Sequence, residues 1–301
     1  MQRAKLIDIW RIERQMLPTM STDAINANTT RELALRIRKR ALQMINAARS
    51  SHLGSSLSMA DILAVLYGGA LNVSPAMLNA PERDRLILSK GHACAGLYAV
   101  LAEQGFFPIE WLDTFYKNGS RLAGHATTSV PGVEFSTGSL GHGLPVACGM
   151  ALAAKRDGHS YRVVTILSDG ECDEGSIWEA ALFAGHHGLD NLTVIVDYNK
   201  IQSLGDVADV LTLEPFQTKW EAFGWNAVRI DGHDHDQLIA ALSAKNAGTG
   251  RPCCILADTV KGKGVPFMEN DLLWHYRAPD AGEFARASAA LDNLDQPART
   301  Q

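Results

Sequence analysis

Two polar residues, Asp169 and Asn199, follow apolar runs and could together hold a divalent cation. Asp169 lies just after the run 161–167, and Asn199 follows the run 192–198. If these runs are neighbouring parallel strands, both side chains lie beyond the carboxyl ends of the sheet, where ligands bind in such folds. A carboxylate and a carboxamide oxygen suit Mg²⁺, which often shares its coordination with a phosphate group. The alternative, that Asp169 is a turn residue or helix cap and Asn199 a second turn residue, stays open on the pattern alone.

Two residues beside Asp169 also have types that suit a ligand site. Gly170 has no Cβ, so the backbone there can approach a ligand closely. Glu174 lies in the first turn of the helix that we predict to follow, where an acid is favoured by the helix dipole.

Histidines beside glycines recur in four segments, each before or after an apolar element. A single loop histidine is more often structural or merely exposed. Several such clusters instead favour polar groups that converge on one ligand. The segments are 51–54 (SHLG), 89–92 (SKGH), 124–125 (GH) and 136–143 (STGSLGHG).

Two other polar runs are interpreted as structural. The run 231–236 (DGHDHD) looks like a metal cluster, but it lies between a predicted strand and a predicted helix, so its acids are interpreted as turn and N-cap residues. The run 261–264 (KGKG) looks like a phosphate loop but lacks the Walker spacing, so by itself it is a flexible basic turn.

The elements that must position these residues alternate along the chain. Strands are predicted at 85–89, 161–167, 192–196, 226–230 and 253–257. Helices are predicted from a cap at Thr29 or Thr30 through Ile45, from Ser58 to Tyr67, and at 93–103, 109–116, 143–155, 178–187 and 237–244. This order predicts an α/β fold, a doubly wound and mostly parallel sheet with helices on both faces. We divide the chain into an N-terminal arm (1–28), one domain (29–280) and a C-terminal tail (281–301) that packs as a peripheral helix or frays.

Composition excludes several classes of function. The chain has 301 residues and a formal net charge of −5 without a basic stripe, so nucleic acid is not an expected partner. No apolar run approaches the ~20 residues of a membrane span, and the N-terminus lacks the apolar centre of a signal peptide. Five cysteines without a C-x-x-C pair argue against a disulfide framework or a zinc site and favour the reducing cytoplasm.

Several motifs together resemble the N-terminal, diphosphate-binding domain of transketolases over residues 30–280. The aspartate-glycine pair followed by an asparagine about thirty residues later is shared by thiamin-diphosphate enzymes generally, whereas the histidine set is more specific to transketolase. The motifs are SKGHACAGLYAVLAEQG, STGSLGHG, SDGECDEGSIWEA, DNLTVIVDYNK and KGKGV…WH.

The resemblance implies a set of site residues and roles. Mg²⁺ would be held by Asp169, Asn199 and the backbone carbonyl of Ile201. Histidines would contact substrate hydroxyls and move protons, which imidazole can do because its ordinary pKa is about 6.5. The implied catalytic residues are His52, His92, His125 and His275. The implied residues that line thiamin diphosphate are Lys90, His92, Gly138, Leu140, Gly170, Glu174, Asn199, Lys261 and His275.

The sequence departs from the family pattern near these positions. Ser168 replaces the usual glycine before the aspartate, and Ser51 and Leu53 replace the glycine and proline that often flank the first histidine. His142 stands where glutamine is common. No implied metal ligand is lost, but these departures leave the shape of the sugar pocket open.

The resemblance also implies a missing half. A complete transketolase is about twice as long and carries a second domain that holds the aminopyrimidine end of the cofactor. We therefore expect a split transketolase that transfers a two-carbon ketol unit between sugar phosphates, and we expect it to pair with a separate C-terminal subunit in a heterotetramer. Two alternatives stay open: part of another thiamin-diphosphate enzyme, such as a synthase or dehydrogenase, and a non-catalytic cofactor-binding module.

Overall fold

The computed structural model describes residues 25–243 and 247–295. Most of the expected N-terminal arm, residues 1–24, and the last six residues of the expected tail lie outside the described residues.

A single sheet of five parallel strands forms the centre of the described chain. In chain order the strands are β1 (Arg85–Leu88), β2 (Val163–Ser168), β3 (Leu192–Tyr198), β4 (Asn226–Asp231) and β5 (Cys253–Asp258). Their order across the sheet is β1-β2-β3-β5-β4, so β2 and β3 are central neighbours. The predicted strands and the parallel α/β fold are confirmed.

Helices cover both faces of the sheet, as predicted. One face carries α1 (Ala27–Ala48), α2 (Leu53–Ser58), α3 (Ala60–Val65), α4 (Cys94–Glu103), α9 (His235–Ser243) and α10 (Ala281–Leu294). The other carries α5 (Gly143–Asp157), α6 (Gly175–His186), α7 (Val207–Val210) and α8 (Phe216–Ala222). Short 3₁₀ or π turns lie at Leu66–Ala70, Pro75–Met77, Gly91–Ala93, Ile109–Thr114, Gly170–Asp173 and Leu272–His275.

The apolar strands fill a separate core on each face. In β2, Val164 and Ile166 pack into the core beneath α1–α4, whereas Val163 and Leu167 pack beneath α5 and α6. All six residues of β2 are buried, which explains why the sequence of this strand is a continuous apolar run instead of an alternating one.

The predicted start of the first helix is wrong. The helix begins at Ala27, and Asn26 caps it by accepting a hydrogen bond from the backbone N–H of Asn28 at 2.9 Å. Asparagine caps a helix as well as threonine does. Thr30 instead lies inside the first turn, where its hydroxyl donates to the Ala27 carbonyl and contacts Nδ1 of His235.

The predicted role of Ser58 is also wrong, because this residue ends α2 instead of opening a helix. Met59, whose backbone is not helical, separates α2 from α3. The Ser58 hydroxyl instead donates a hydrogen bond at 2.6 Å to the carboxylate of Asp197, a buried residue of β3. The segment predicted as a helix at 109–116 is a 3₁₀ segment, Ile109–Thr114.

The C-terminal tail and the DGHDHD run behave as structural elements. Asp280 and Glu283 form a capping box at the start of α10, whose Ala287 and Leu291 are buried. Asp231 accepts the backbone N–H of His233, and Asp234 accepts that of Gln237 at the start of α9, as expected for turn and N-cap residues. All five cysteines are free and buried. Within the described ranges, no helix has the length and apolar character that crossing a membrane requires.

Candidate functional site

A cavity of about 240 Å³ lies beyond the carboxyl ends of β2 and β3. It brings together most residues that the sequence singled out, although they come from eight separate stretches of chain. Those on its wall are His52, His92, His125, Gly138, Leu140, Asp169, Gly170, Asn199, Ile201, Lys261 and His275, accompanied by Ser55, Ser168, Gln202 and Ser203. A larger open groove, of about 1020 Å³, lies between α1 and α9 and contains none of the predicted site residues.

Three groups with oxygen atoms that can bind a cation lie at this cavity: the Asp169 carboxylate, the Asn199 amide and the Ile201 carbonyl. They are called the donor set below. Because Ser168 pairs with Asp197 across β2 and β3, Asp169 and Asn199 extend just past neighbouring strand ends. Asp169 is 1% exposed, and its carboxylate accepts the backbone N–H of Gly170 and that of Lys200, at 2.8 and 2.6 Å. Burial, followed by the nearby Asp197 carboxylate, raises the pKa of Asp169 to about 6.

The Asn199 side chain and the Ile201 carbonyl complete the donor set. The side-chain oxygen of Asn199 accepts the backbone N–H of Ile201 at 3.2 Å, which makes a tight turn after β3. A carboxylate, an amide oxygen and a backbone carbonyl are the ligands that a hard divalent cation takes from a protein, and phosphate oxygens and water complete its coordination. The residues present therefore fit Mg²⁺ beside a diphosphate.

A fully buried ion pair lies beneath the donor set. Lys90 donates to the Asp197 carboxylate and to the Ser55 carbonyl, and neither charged side chain is exposed. Burial alone would raise the pKa of Asp197, but Lys90 and the hydroxyl donors Ser58 and Thr259 hold it below its ordinary value. Lys90 was expected to line the cofactor, yet the structure places it behind the cavity wall, because Asp197 binds its ammonium group.

The ion pair also orients Asn199. The Asn199 amide nitrogen donates to Asp197 at 3.4 Å, and an ionised carboxylate can only accept. The amide oxygen is thereby directed away from Asp197 and toward the turn. The sequence contained a signal for this group that was not used: Asp197 is a charge inside the apolar run LTVIVDY, and such a charge needs a buried partner.

The two acids after Asp169 lie in different surroundings. Glu174 is exposed at the N-cap position of α6 and does not line the cavity. Glu171 is fully buried and accepts hydrogen bonds from the Ser89 hydroxyl and from the backbone N–H groups of Gly141 and Ser168. Glu171 thus ties the segment 139–143 to the ends of β1 and β2, a role that spacing did not reveal.

Three of the predicted histidines form a cluster on the wall of the same cavity. The ring centroids of His52 and His92 are 4.9 Å apart, those of His52 and His275 are 5.1 Å apart, and those of His92 and His275 are 6.1 Å apart. His52 adopts a left-handed backbone conformation, and its N–H donates to the His275 carbonyl at 3.1 Å. His125 lies on the same wall, where a Cβ added at Gly138 would lie 3.6 Å from its ring.

The clustered histidines are neutral at neutral pH. Burial, followed by the charge of His125, lowers the pKa of His52 to about 4. Burial, followed by the charge of Lys261, lowers the pKa of His275 to about 3. Burial, followed by Lys90, holds the pKa of His92 well below its ordinary value. These rings therefore act as neutral imidazoles and do not have the ordinary pKa near 6.5 assumed from the sequence.

Lys261 contacts both a residue of the donor set and a histidine of the cluster. Its side chain is 1% exposed, and its ammonium group donates to the Ile201 carbonyl at 2.8 Å and contacts Nδ1 of His275 at 2.9 Å. Burial lowers the pKa of Lys261 to about 8, so the group remains mostly cationic at pH 7. Lys261 therefore lies at the cavity wall as the resemblance implied, although the KGKG run alone indicated only a basic turn.

The departures from the family pattern make defined contacts. The Ser51 hydroxyl lies 2.8 Å from Nδ1 of His52, and the Ser168 hydroxyl accepts the N–H of Glu171. His142 is exposed, and its Nδ1 contacts the Leu140 carbonyl at 2.9 Å. Of these three residues only Ser168 lines the cavity, and the oxygen atoms of Asp169, Asn199 and Ile201 stay in place.

Comparison with known proteins identifies what this chain is similar to. Residues 29–293 match the family described as "Transketolase, thiamine diphosphate binding domain". The chain is 45% identical over 240 residues to the 6-deoxy-6-sulfo-D-fructose transketolase subunit SqwG of Clostridium sp. (strain MSTE9), covering 79% of this chain and 87% of that one. It is 39% identical over 250 residues to an apulose-4-phosphate transketolase subunit of Phocaeicola vulgatus, covering 83% of this chain and 89% of that one.

A solved structure shows the same fold. Transketolase from Campylobacter jejuni superposes with a TM-score of 0.83 at 32% identity, covering 89% of this chain and 43% of that one. The chain thus spans less than half of this full-length enzyme, whereas it spans most of the two subunits.

Proposed function

Because the chain belongs to the transketolase family, as its thiamin-diphosphate-binding domain, we propose that it is the diphosphate-binding subunit of a split transketolase. The observation that carries this proposal is one cavity whose wall contains Asp169, Asn199 and Ile201 together with the four predicted catalytic histidines. The activity is the transfer of a two-carbon ketol unit from a ketose phosphate to an aldose phosphate.

Within the cavity, the donor set holds the charged end of the cofactor. Asp169, Asn199 and Ile201 supply oxygen atoms to Mg²⁺, and the cation offsets the charge that a diphosphate brings to a chain of net charge −5. Lys261 adds a second positive charge at the same wall. Gly138, Leu140 and Gly170 shape that wall, and Gly170 brings backbone close without a Cβ.

In this proposal, the imidazoles of the four cavity histidines surround the reacting sugar. When bound, thiamin diphosphate supplies the electron sink for breaking the bond beside a ketose carbonyl. His52, His92, His125 and His275 bind the sugar hydroxyls, orient them and hold or move protons at their ring nitrogens. Their low pKa values keep His52 and His275 free of charge, so they can exchange hydrogen bonds with neutral hydroxyls at pH 7.

A separate polypeptide completes the enzyme in this proposal. The relatives that the chain spans over 87% and 89% of their length are named as subunits, which supports a partner that holds the pyrimidine end of the cofactor. Apolar side chains next to cavity residues also support a partner surface: Leu204 is 79% exposed, Tyr276 55% and Leu273 46%. We place the assembly, a heterotetramer of two such pairs, in the cytoplasm, where free buried thiols such as those of this chain persist.

The proposed substrates are a class of sugars, inferred from the chemistry of the family, and no single sugar is specified. The two relatives are named for a sulfonated ketose and for apulose 4-phosphate. Both sugars carry an anionic end, so we propose ketoses and aldoses with a phosphate or similar anion as substrates of this chain.

The proposal is tested by product analysis of the assembled enzyme. The chain is co-purified with a candidate pyrimidine-binding subunit, supplied with Mg²⁺, thiamin diphosphate and a sugar-phosphate pair, and the products are identified by mass spectrometry. Ketol transfer that is lost in Asp169→Asn and kept in the control Asp157→Asn, an exposed carboxylate at the end of α5, supports it. Synthase or oxidative products would favour another thiamin-diphosphate enzyme, and cofactor binding without turnover would favour a non-catalytic module.

A further inference from the structure

The contact between Lys261 and His275 has a chemical consequence beyond cofactor binding. The Lys261 ammonium group donates to the Ile201 carbonyl at 2.8 Å and lies 2.9 Å from Nδ1 of His275. A protonated lysine has three donors and no acceptor, so Nδ1 of His275 must accept this hydrogen bond. The single proton of a neutral imidazole then resides on the other nitrogen, Nε2.

We propose that Lys261 is a positioning residue that fixes His275 in the Nε2–H tautomer, so that His275 is a hydrogen-bond donor to the bound sugar and not a base. This assignment rests on the proposed function for the identity of the ligand, but the tautomer itself is a property of the chain. Among the described residues, no lysine donates a hydrogen bond to a ring nitrogen of another cavity histidine, so this contact distinguishes His275 from His52, His92 and His125.

The surroundings of Lys261 hold its side chain in this position. A Cβ added at Gly54 would lie 3.0 Å from Cγ and 3.5 Å from Cε of Lys261, so the absence of a side chain there makes room for the lysine stem. The Lys261 carbonyl accepts the N–H of Asn270, and Gly262 binds the Gly54 carbonyl through its own N–H, which fixes the turn. The stem therefore has little freedom to withdraw from His275.

The position of His275 is fixed from the other side as well. The backbone N–H of His52 donates to the His275 carbonyl at 3.1 Å. The ring lies on the cavity wall, where it packs against the rings of His52 and Tyr276 at centroid distances of 5.1 and 5.0 Å. With Nδ1 bound to Lys261, Nε2 is the ring nitrogen left to meet a ligand. A fixed N–H at such a place can stabilise charge that develops on a sugar oxygen.

The first test reads the tautomer directly in the full chain, without cofactor or partner. Long-range ¹H–¹⁵N spectra of ¹⁵N-histidine-labelled protein at pH 7 distinguish a protonated ring nitrogen from an unprotonated one, and His275→Gln assigns the signal. We expect Nε2 to be protonated in the wild type and in Lys261→Arg, and both tautomers to appear in Lys261→Met. Lys263→Met is the matched control, because Lys263 lies on the same turn but lines the separate groove, and it should leave the signal unchanged.

A second variant tests whether the result for Lys261→Met is only a general effect of removing the positive charge of Lys261. Gly54→Ala keeps the charge of Lys261 but crowds its stem, whose Cγ would lie 3.0 Å from the new Cβ. It should therefore weaken the contact with Nδ1 and allow part of the population to carry the proton there, less than in Lys261→Met. A proton on Nδ1 in the wild type would overturn the proposal, and so would an unchanged tautomer in both Lys261→Met and Gly54→Ala.

The second test measures the role of His275 in the assembled enzyme. Glutamine retains an N–H donor but cannot act as a base, so we expect His275→Gln to keep turnover within about tenfold of the wild type, while His275→Ala loses about 10²–10³-fold. Equal loss in both variants would contradict a donor role. Because the spectra require no catalysis, failure of the split-transketolase proposal would remove only this second arm and would not alter the first.

Discussion

Asp197 should be among the most costly positions in the chain to alter, although it does not line the cavity. Asp197→Ala removes the partner of Lys90, and both side chains of this pair are fully buried. The substitution also removes the acceptor for the hydroxyls of Ser58 and Thr259 and for the amide of Asn199. The variant thus leaves a positive charge and several donors without a partner in the interior.

The magnitude follows from the buried charge. Breaking a buried ion pair by removing one partner costs about 3–5 kcal/mol, because the remaining charge is uncompensated. A domain has a total stability of only about 5–15 kcal/mol, so this loss is a large share of it. Replacing the whole pair by apolar residues of similar size removes the unpaired charge, so Lys90→Met with Asp197→Leu should recover part of the loss. The donors of Ser58, Thr259 and Asn199 still lack their acceptor in that double variant.

Urea unfolding followed by circular dichroism measures this prediction. With a slope of about 3 kcal/mol per M urea, Asp197→Ala should lower the midpoint by about 1–1.7 M. The exposed control Asp157→Ala should change the unfolding free energy by no more than about 0.5 kcal/mol. A loss below about 1 kcal/mol in Asp197→Ala, or a double variant no better than the single one, would refute the reasoning from an uncompensated buried charge.

Three further predictions concern the cavity. Asp169→Ala should abolish Mg²⁺-dependent binding of thiamin diphosphate in the assembled enzyme, and unchanged binding by calorimetry would contradict the proposed metal ligand. His125→Ala should lower turnover by about 10²–10⁴-fold and His275→Ala by about 10²–10³-fold, both with folding intact, and near-normal transfer rates would identify them as structural histidines. The pKa of His52 in the folded chain, about 4, and that of His275, about 3, lie below the unfolded value of 6.5, so the unfolded chain binds more protons between these limits. The free energy of unfolding should therefore be highest above pH 6.5 and should decrease as the pH falls toward 4. This decrease should be less steep in His52→Gln. An equally steep decrease in that variant would contradict the burial of His52.

The sheet and the position of Asp169 and Asn199 at its edge were predictable because local sequence patterns determine them. A fully buried parallel strand has an unbroken apolar sequence, and β2 and β3 lie where such runs predicted them. Asp169 and Asn199 follow those strands directly, and parallel neighbours end at the same edge of a sheet. The site could therefore be located from strand order and residue type.

The remaining features depend on contacts that sequence spacing does not encode. Lys90 was assigned to the cofactor wall by resemblance, but the Asp197 carboxylate, 107 positions later in the chain, binds its ammonium group. Glu174 was noted because an acid suits the first turn of a helix, whereas burial and three hydrogen bonds distinguish Glu171. The pKa values of the histidines likewise result from burial and from Lys261, and residue type alone predicted ordinary values.

The most direct test of the split-transketolase proposal measures two-carbon transfer between sugar phosphates. Transfer is measured for this chain alone, for its candidate partner alone and for both together, each with Mg²⁺ and thiamin diphosphate. The account predicts no transfer by either polypeptide alone and cofactor-dependent transfer by the pair. That activity should disappear when the chain carries Asp169→Ala. Robust transfer by the chain alone would contradict the split enzyme, and absence of transfer from every pyrimidine-binding partner tested would contradict its catalytic role.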